Sequence, residues 1–168
     1  MDIESIKKEF PIFNHHKENE FLYLDSASTT QKHESVLSKL NDYYIKYSAN
    51  IHRAVYPIAE EATNKFEKSR SKVSNFINSK VEEVIFTKNA TEAINLVAYS
   101  WGLDNLKEED IILISEMEHH SNLIPWQFLS KKTGCTLEYI PILDDGTLDM
   151  DSFDSLLSNK VKLISLTH

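Results

Sequence analysis

From Val84 onward, short apolar runs take turns with helix-length periodic segments: "VIFT" (Val84–Thr87), "ATEAINLVAYSW", "DIILIS", "IPWQFLSKKT", "TLEYIPI", "LDMDSFDSLLS" and "VKLISLT". This alternation restricts the fold more than any other feature. Parallel neighbours in a sheet need a long return connection, so strands separated by helices predict βαβ crossovers. The expected class is α/β, a mainly parallel sheet with helices on both faces. In such sheets ligands sit beyond the carboxyl ends of the strands, where helix N-termini and loops meet.

Upstream, "FLYLD" (Phe21–Asp25) reads as a short strand entering a loop. In "SASTTQKHESVLSKLNDYYIKY", Val36, Leu40, Tyr43, Tyr44 and Tyr47 recur at helical spacing. "AEEATNKFEKSRSKVSNFI" repeats that signal through Ala62, Phe66, Ser69, Val73 and Phe76, which predicts one face lying on a core. With 168 residues, 41% of them hydrophobic, one globular domain with a real core is expected.

Two junctions carry chemistry. In "FTKNATEAINLVA" a strand is expected to end at Thr87 and a helix to begin near Ala90. Unpaired N–H groups and the positive end of the helix dipole suit an anion there. The plainer reading is that Asn89 or Thr91 only caps the helix. Neither GxGxxG nor GxxxxGK[ST] is present, so dinucleotide and Walker sites find no support. The second junction is "EMEHHSN". Glu116, Glu118, His119 and His120 are competent metal ligands, but adjacent histidines diverge and no HExxH or Cys/His set completes a site, so no metal is expected. Histidines here can lie against a planar ligand or move protons, or they can be loop residues that cap the next helix with Ser121 and Asn122.

Composition removes other classes. Lys plus Arg is 18 against 26 Asp plus Glu, a formal charge of −8, which argues against nucleic acid or an anionic membrane surface as partner. The apolar runs are strand-sized, and "MDIESIKKEFPIF" lacks the features of a signal or transit peptide. A single cysteine, Cys135, fits a reducing compartment, so a cytoplasmic protein is expected.

In this order and spacing, "YLDSASTTQK", "NIHRAVYPIAEEAT", "VIFTKNATEAINLVAYSWG", "SEMEHHSNLIPWQ" and "DGTLDMDSF" resemble the N-terminal part of the group II, SufS-like cysteine desulfurases of the class V aminotransferase family. The resemblance implies a helical arm over 1–20 and, over 21–168, the N-terminal portion of the large domain of a fold type I enzyme that uses pyridoxal 5'-phosphate. It implies that Thr91, with the backbone at Ala90, holds the cofactor phosphate. By the same resemblance His119 stacks on the pyridine ring and assists proton transfer, while Pro125 and Trp126 begin and anchor the helix behind it. Ala27 and His52 match positions near the substrate pocket and the subunit boundary of a homodimer. The implied reaction converts L-cysteine to L-alanine and an enzyme persulfide, whose sulfur passes to an acceptor protein for iron–sulfur cluster assembly.

There are departures. Ala90 stands where threonine is usual, Asn89 and Ala54 where glycine is usual, and His33 where proline is usual. The family continues past His168, and its Schiff-base lysine and nucleophilic cysteine have no counterpart in this chain, Cys135 reading as a buried structural thiol. The 168 residues alone are therefore expected to be a truncated, inactive fragment with an unpaired sheet edge. The alternatives are a selenocysteine lyase or other class V lyase, or a non-catalytic pseudoenzyme or split subunit.

Overall fold

A computed structural model describes residues 2–16 and 22–167. The expectations for Phe21 and His168 lie outside those residues. The chain divides into two compact units, Met1–Val84 and Ile85–His168.

The first unit is helical. Two short helices, α1 (Ile3–Lys8) and α2 (Pro11–His15), precede α3 (Glu34–Asp42), which runs on as a π-helical turn over Tyr43–Tyr47. His33 caps α3: its Nδ1 accepts the Ser35 N–H at 3.0 Å, and its Nε2 pairs with the Glu9 carboxylate. The backbone of His33 sits at φ −65°, within proline's own range, so the departure from proline costs no strain. Ala54 is not among the residues with positive φ.

Helix α4 (Pro57–Phe76) opens on a proline, whose missing N–H would have had no intrahelical partner anyway. Its buried residues are Ala59, Ala62 and Ser74, whereas Phe76 is 91% exposed. The expected face holds at Ala62 and fails at Phe76. Small residues are buried along α4, and the aromatic at its last position is left in solvent. Leu22–Asp25 form no strand, nor do Val84–Thr87, although Val84 is extended at φ −96° and ψ 115°. An extended segment becomes a strand only through a hydrogen-bonded neighbour, and neither segment has one among the described residues.

The second unit contains the sheet. Strand β1 (Ile111–Ser115) is central, with β2 (Thr136–Ile140) and β3 (Val161–Ser165) parallel on either side in the order β2-β1-β3. Ile112, Leu113, Ile114 and Ser115 are all buried, as a strand covered on both faces requires. Three helical segments accompany the sheet. Helix α5 (Ala90–Val97) continues through a π turn (Ala98–Gly102) into α6 (Leu103–Asn105). Helix α7 (Ile124–Thr133) links β1 to β2, and α8 (Met150–Leu156) links β2 to β3.

The core gathers Ala98, Leu106, Ile112, Ile114, Trp126, Leu129 and Cys135. Cys135 is 2% exposed and follows Gly134, which ends α7 in the left-handed region at φ 81°. It is a structural thiol. At Gly102 a Cβ would stand 2.5 Å from Leu129 Cδ2, so any larger residue there would force the buried Leu129 side chain to shift.

Candidate functional site

Helix α5 starts at Ala90 and is capped from both sides. The Asn89 side chain accepts the Glu92 N–H at 3.0 Å, while the Glu92 carboxylate accepts the Lys88 N–H. Asn89 has φ −166°, extended backbone open to any residue, so glycine is not needed there. Capping consumes the Glu92 N–H and the helical ladder takes that of Ala93. The N–H groups of Ala90 and Thr91 and the Thr91 hydroxyl have no partner among the described residues. Three donors are thus available at the positive end of the helix dipole. That is the donor set a phosphate takes.

The loop after β1 supplies the second group. His119 caps a 3₁₀ turn (His120–Asn122), its Nδ1 accepting the Ser121 N–H at 3.0 Å with the Ser121 hydroxyl at 2.8 Å. A backbone N–H can only donate, so Nδ1 carries the lone pair and the proton of the neutral ring is on Nε2. The ring itself is exposed.

Thr91 and His119 line one cleft of about 460 Å³, together with Asn95, Tyr99, Ile124 and Phe128. Tyr99 and Phe128 rings lie 5.5 Å apart at 52°. Pro125, buried at the start of α7, lines the same cleft. Trp126 behind it is 2% exposed. An anion-binding helix end, an imidazole and an aromatic wall fit a flat, phosphorylated cofactor.

Ala27 and His52 belong to the first unit. Ala27 is exposed in a turn in which Asp25 O accepts the N–H groups of Ser28 and Thr29, each at 3.1 Å. His52 adopts φ 66°, its N–H donates to Thr63 Oγ1 at 3.0 Å, and its ring pairs with Glu67 at 3.3 Å. Among the described residues no group of His, Cys, Asp and Glu could hold a metal.

One constellation escaped the sequence reading. The Glu118 carboxylate accepts from Ser115 Oγ at 2.6 Å, Asn122 Nδ2 at 2.8 Å, and Thr167 through N–H at 3.0 Å and Oγ1 at 2.7 Å. Burial pushes this carboxyl up, but the hydrogen bonds from Ser115, Asn122 and Thr167 outweigh it and hold the group below the usual carboxylate range. Asn122, buried, also accepts from Trp126 Nε1 at 2.9 Å and Ser165 Oγ at 2.5 Å, and donates to Ser165 O at 3.2 Å. The only local signal was a serine ending both "IILIS" and "VKLIS".

Comparison with known proteins gives the family. A family profile described as aminotransferase class-V matches residues 22–168. A "probable cysteine desulfurase" of Synechocystis sp. is 45% identical over 166 residues, covering 98% of this chain and 40% of that protein. A protein of the same description from Streptomyces coelicolor is 46% identical over 172 residues, 98% and 41%. Among solved structures, the apo cysteine desulfurase of Thermococcus onnurineus NA1 superposes with a TM-score of 0.88 at 38% identity, over 97% of this chain and 39% of that one. A cysteine desulfurase of Escherichia coli gives 0.81 at 28%, over 98% and 40%. The chain therefore spans about two fifths of the length of these relatives.

Proposed function

Because the chain belongs to the aminotransferase class-V family, we propose that it is the cofactor-cradling part of a pyridoxal-phosphate-dependent cysteine desulfurase, corresponding to the N-terminal part of the group II, SufS-like enzymes. The observation that carries this reading is the shared cleft, which Thr91, with its free donors, and the exposed His119 both line.

When bound, pyridoxal phosphate supplies an electron sink for the bonds around the substrate's α-carbon. Ala90 N–H, Thr91 N–H and the Thr91 hydroxyl hold the phosphate, with the α5 dipole adding to the attraction. His119 would lie against the cofactor ring and assist proton transfer there, its Nε2–H presented as a hydrogen-bond donor because the Ser121 cap occupies Nδ1. Tyr99, Ile124, Pro125 and Phe128 give the cleft a mainly apolar wall.

The proposed substrate is L-cysteine and the products are L-alanine and a persulfide on an enzyme cysteine, its sulfur passing to an acceptor protein for iron–sulfur cluster assembly. The proposed setting is a cytoplasmic homodimer, with Ala27 and His52 near the substrate pocket and subunit boundary. The N-terminal segment that carries α1 and α2 is proposed to be a helical arm, and the remainder part of the large domain. Among the described residues no helix is long and apolar enough to cross a membrane.

Titration of the native apoprotein with pyridoxal phosphate tests the reading. Saturable uptake, weakened in Thr91→Val and spectrally altered in His119→Ala, is the expected result. Uptake that both variants leave untouched would move the site elsewhere.

A further inference from the structure

The ionised Glu118 side chain is used up by structure. Its two oxygens take four hydrogen bonds, Oε1 from Ser115 Oγ and the Thr167 N–H, Oε2 from Asn122 Nδ2 and Thr167 Oγ1. Ser115 is the last residue of β1, and Thr167 stands two residues beyond the end of β3. One carboxylate therefore ties together the carboxyl ends of two neighbouring strands. Its bond to Asn122 also closes the base of the short loop His119–Ser121, and Asn122 is anchored in turn by Trp126 and Ser165. Inside that closed loop Ser121 holds His119 Nδ1. The orientation and tautomer of the His119 ring thus depend on a loop clamped at both ends.

We propose that Glu118 is the positioning residue for His119: it acts through the loop and touches neither metal nor substrate. This rests on the reading of His119 as the residue that meets the cofactor ring.

The bonding pattern says which replacement is informative. Glutamine has nearly the same shape but presents one oxygen and one NH₂ group. If the NH₂ takes the Oε1 place it meets the Thr167 N–H, which can only donate. If it takes the Oε2 place it meets Asn122 Nδ2, whose amide is fixed by Trp126 Nε1 on its oxygen. Either way two donors face each other, and the clamp opens on one side. Thr167→Val is gentler, since it removes only the hydroxyl donor and leaves the carboxylate three bonds.

The test uses the native protein as wild type, Glu118→Gln and Thr167→Val, read twice. In the apoprotein, nitrogen NMR of the His119 imidazole reports its tautomer. In the holoprotein, circular dichroism of the bound cofactor reports its seating, and kcat and KM for L-cysteine are measured separately.

For Glu118→Gln the proposal expects the single Nε2–H pattern to be lost, the cofactor dichroism to shrink, and kcat to fall at least about tenfold with KM nearly unchanged, the signature of a misplaced group. Thr167→Val should show the same changes to a smaller degree. A His119 tautomer and dichroism unchanged in both variants would overturn the proposal. Should Glu118→Gln fail to fold, Thr167→Val decides alone, by the same two readouts. If the wild-type protein takes up no pyridoxal phosphate, the functional reading fails, while the apoprotein measurement still judges the clamp.

Discussion

Replacing Asn122 by Ala removes the side chain that joins the clamp to the core, and its cost follows from the bonds lost. Trp126 is 2% exposed, and its Nε1–H would be left with no acceptor, a penalty of about 1–3 kcal/mol. The donor to the Glu118 carboxylate disappears as well, and hydrogen bonds to charged groups contribute about 1.5–3 kcal/mol. Ser165 Oγ can turn to another acceptor, so nothing is added for it. The total is about 3–5 kcal/mol, allowing for partial relaxation. Native-state hydrogen exchange is the suitable assay, because it reads opening amide by amide. Protection at Ile112–Ser115 and Leu163–Ser165 should fall by at least about a hundredfold, tenfold corresponding to about 1.4 kcal/mol. Trp126→Phe removes the same indole bond but leaves Asn122 Oδ1 its contact with Ser165, so it should cost less, about 1–2 kcal/mol with the lost volume. A double-mutant cycle should return a coupling of about 1 kcal/mol. Loss of protection below about tenfold in Asn122→Ala, or an additive cycle, would refute the reasoning.

Three further outcomes are expected. Thr91→Val removes one hydroxyl donor from the anion site and should raise the Kd for pyridoxal phosphate by roughly tenfold to a hundredfold, measured by equilibrium dialysis. Gly102→Val should destabilise α7 packing by about 1–3 kcal/mol, since even a Cβ meets the fully buried Leu129 at 2.5 Å; thermal unfolding checks it, and shortening Leu129 should recover part of the loss specifically in that background. Glu118 has a lowered folded-state value relative to its ordinary 4.5, so the clamp's contribution is fully present above the unfolded carboxyl's range and is lost as pH falls through the depressed folded value. Protection at the ends of β1 and β3, referred to the intrinsic exchange rate at each pH, should therefore fall in acid below the ordinary glutamate range, and this extra sensitivity should vanish in Glu118→Ala.

The elements legible in the sequence were those whose signals are local. The run "IILIS" is bounded by charges at Asp110 and Glu116, α7 by Pro125 and Gly134, and the expected and observed limits nearly coincide. Val84–Thr87 looked equally strand-like, but a ladder depends on a neighbour, which local pattern cannot supply. Phe76 fits the helical period of α4 yet stands in solvent, because periodicity tells which residues share a face and not what that face meets. Thr91 was visible because a helix head is a local construction. Glu118 attracted notice only as a possible metal ligand. Two of its four donors come from Thr167, 49 residues away, and no spacing rule connects them.

The central claim is that the Thr91–His119 cleft serves cysteine desulfuration on pyridoxal phosphate. Its most direct test is the fate of L-cysteine given to the native protein with the cofactor and a thiol reductant. The account predicts L-alanine and sulfide in equal amounts, formed only when pyridoxal phosphate is present and much more slowly by His119→Ala. Release of pyruvate and ammonia instead of alanine, or turnover independent of the cofactor, would contradict it.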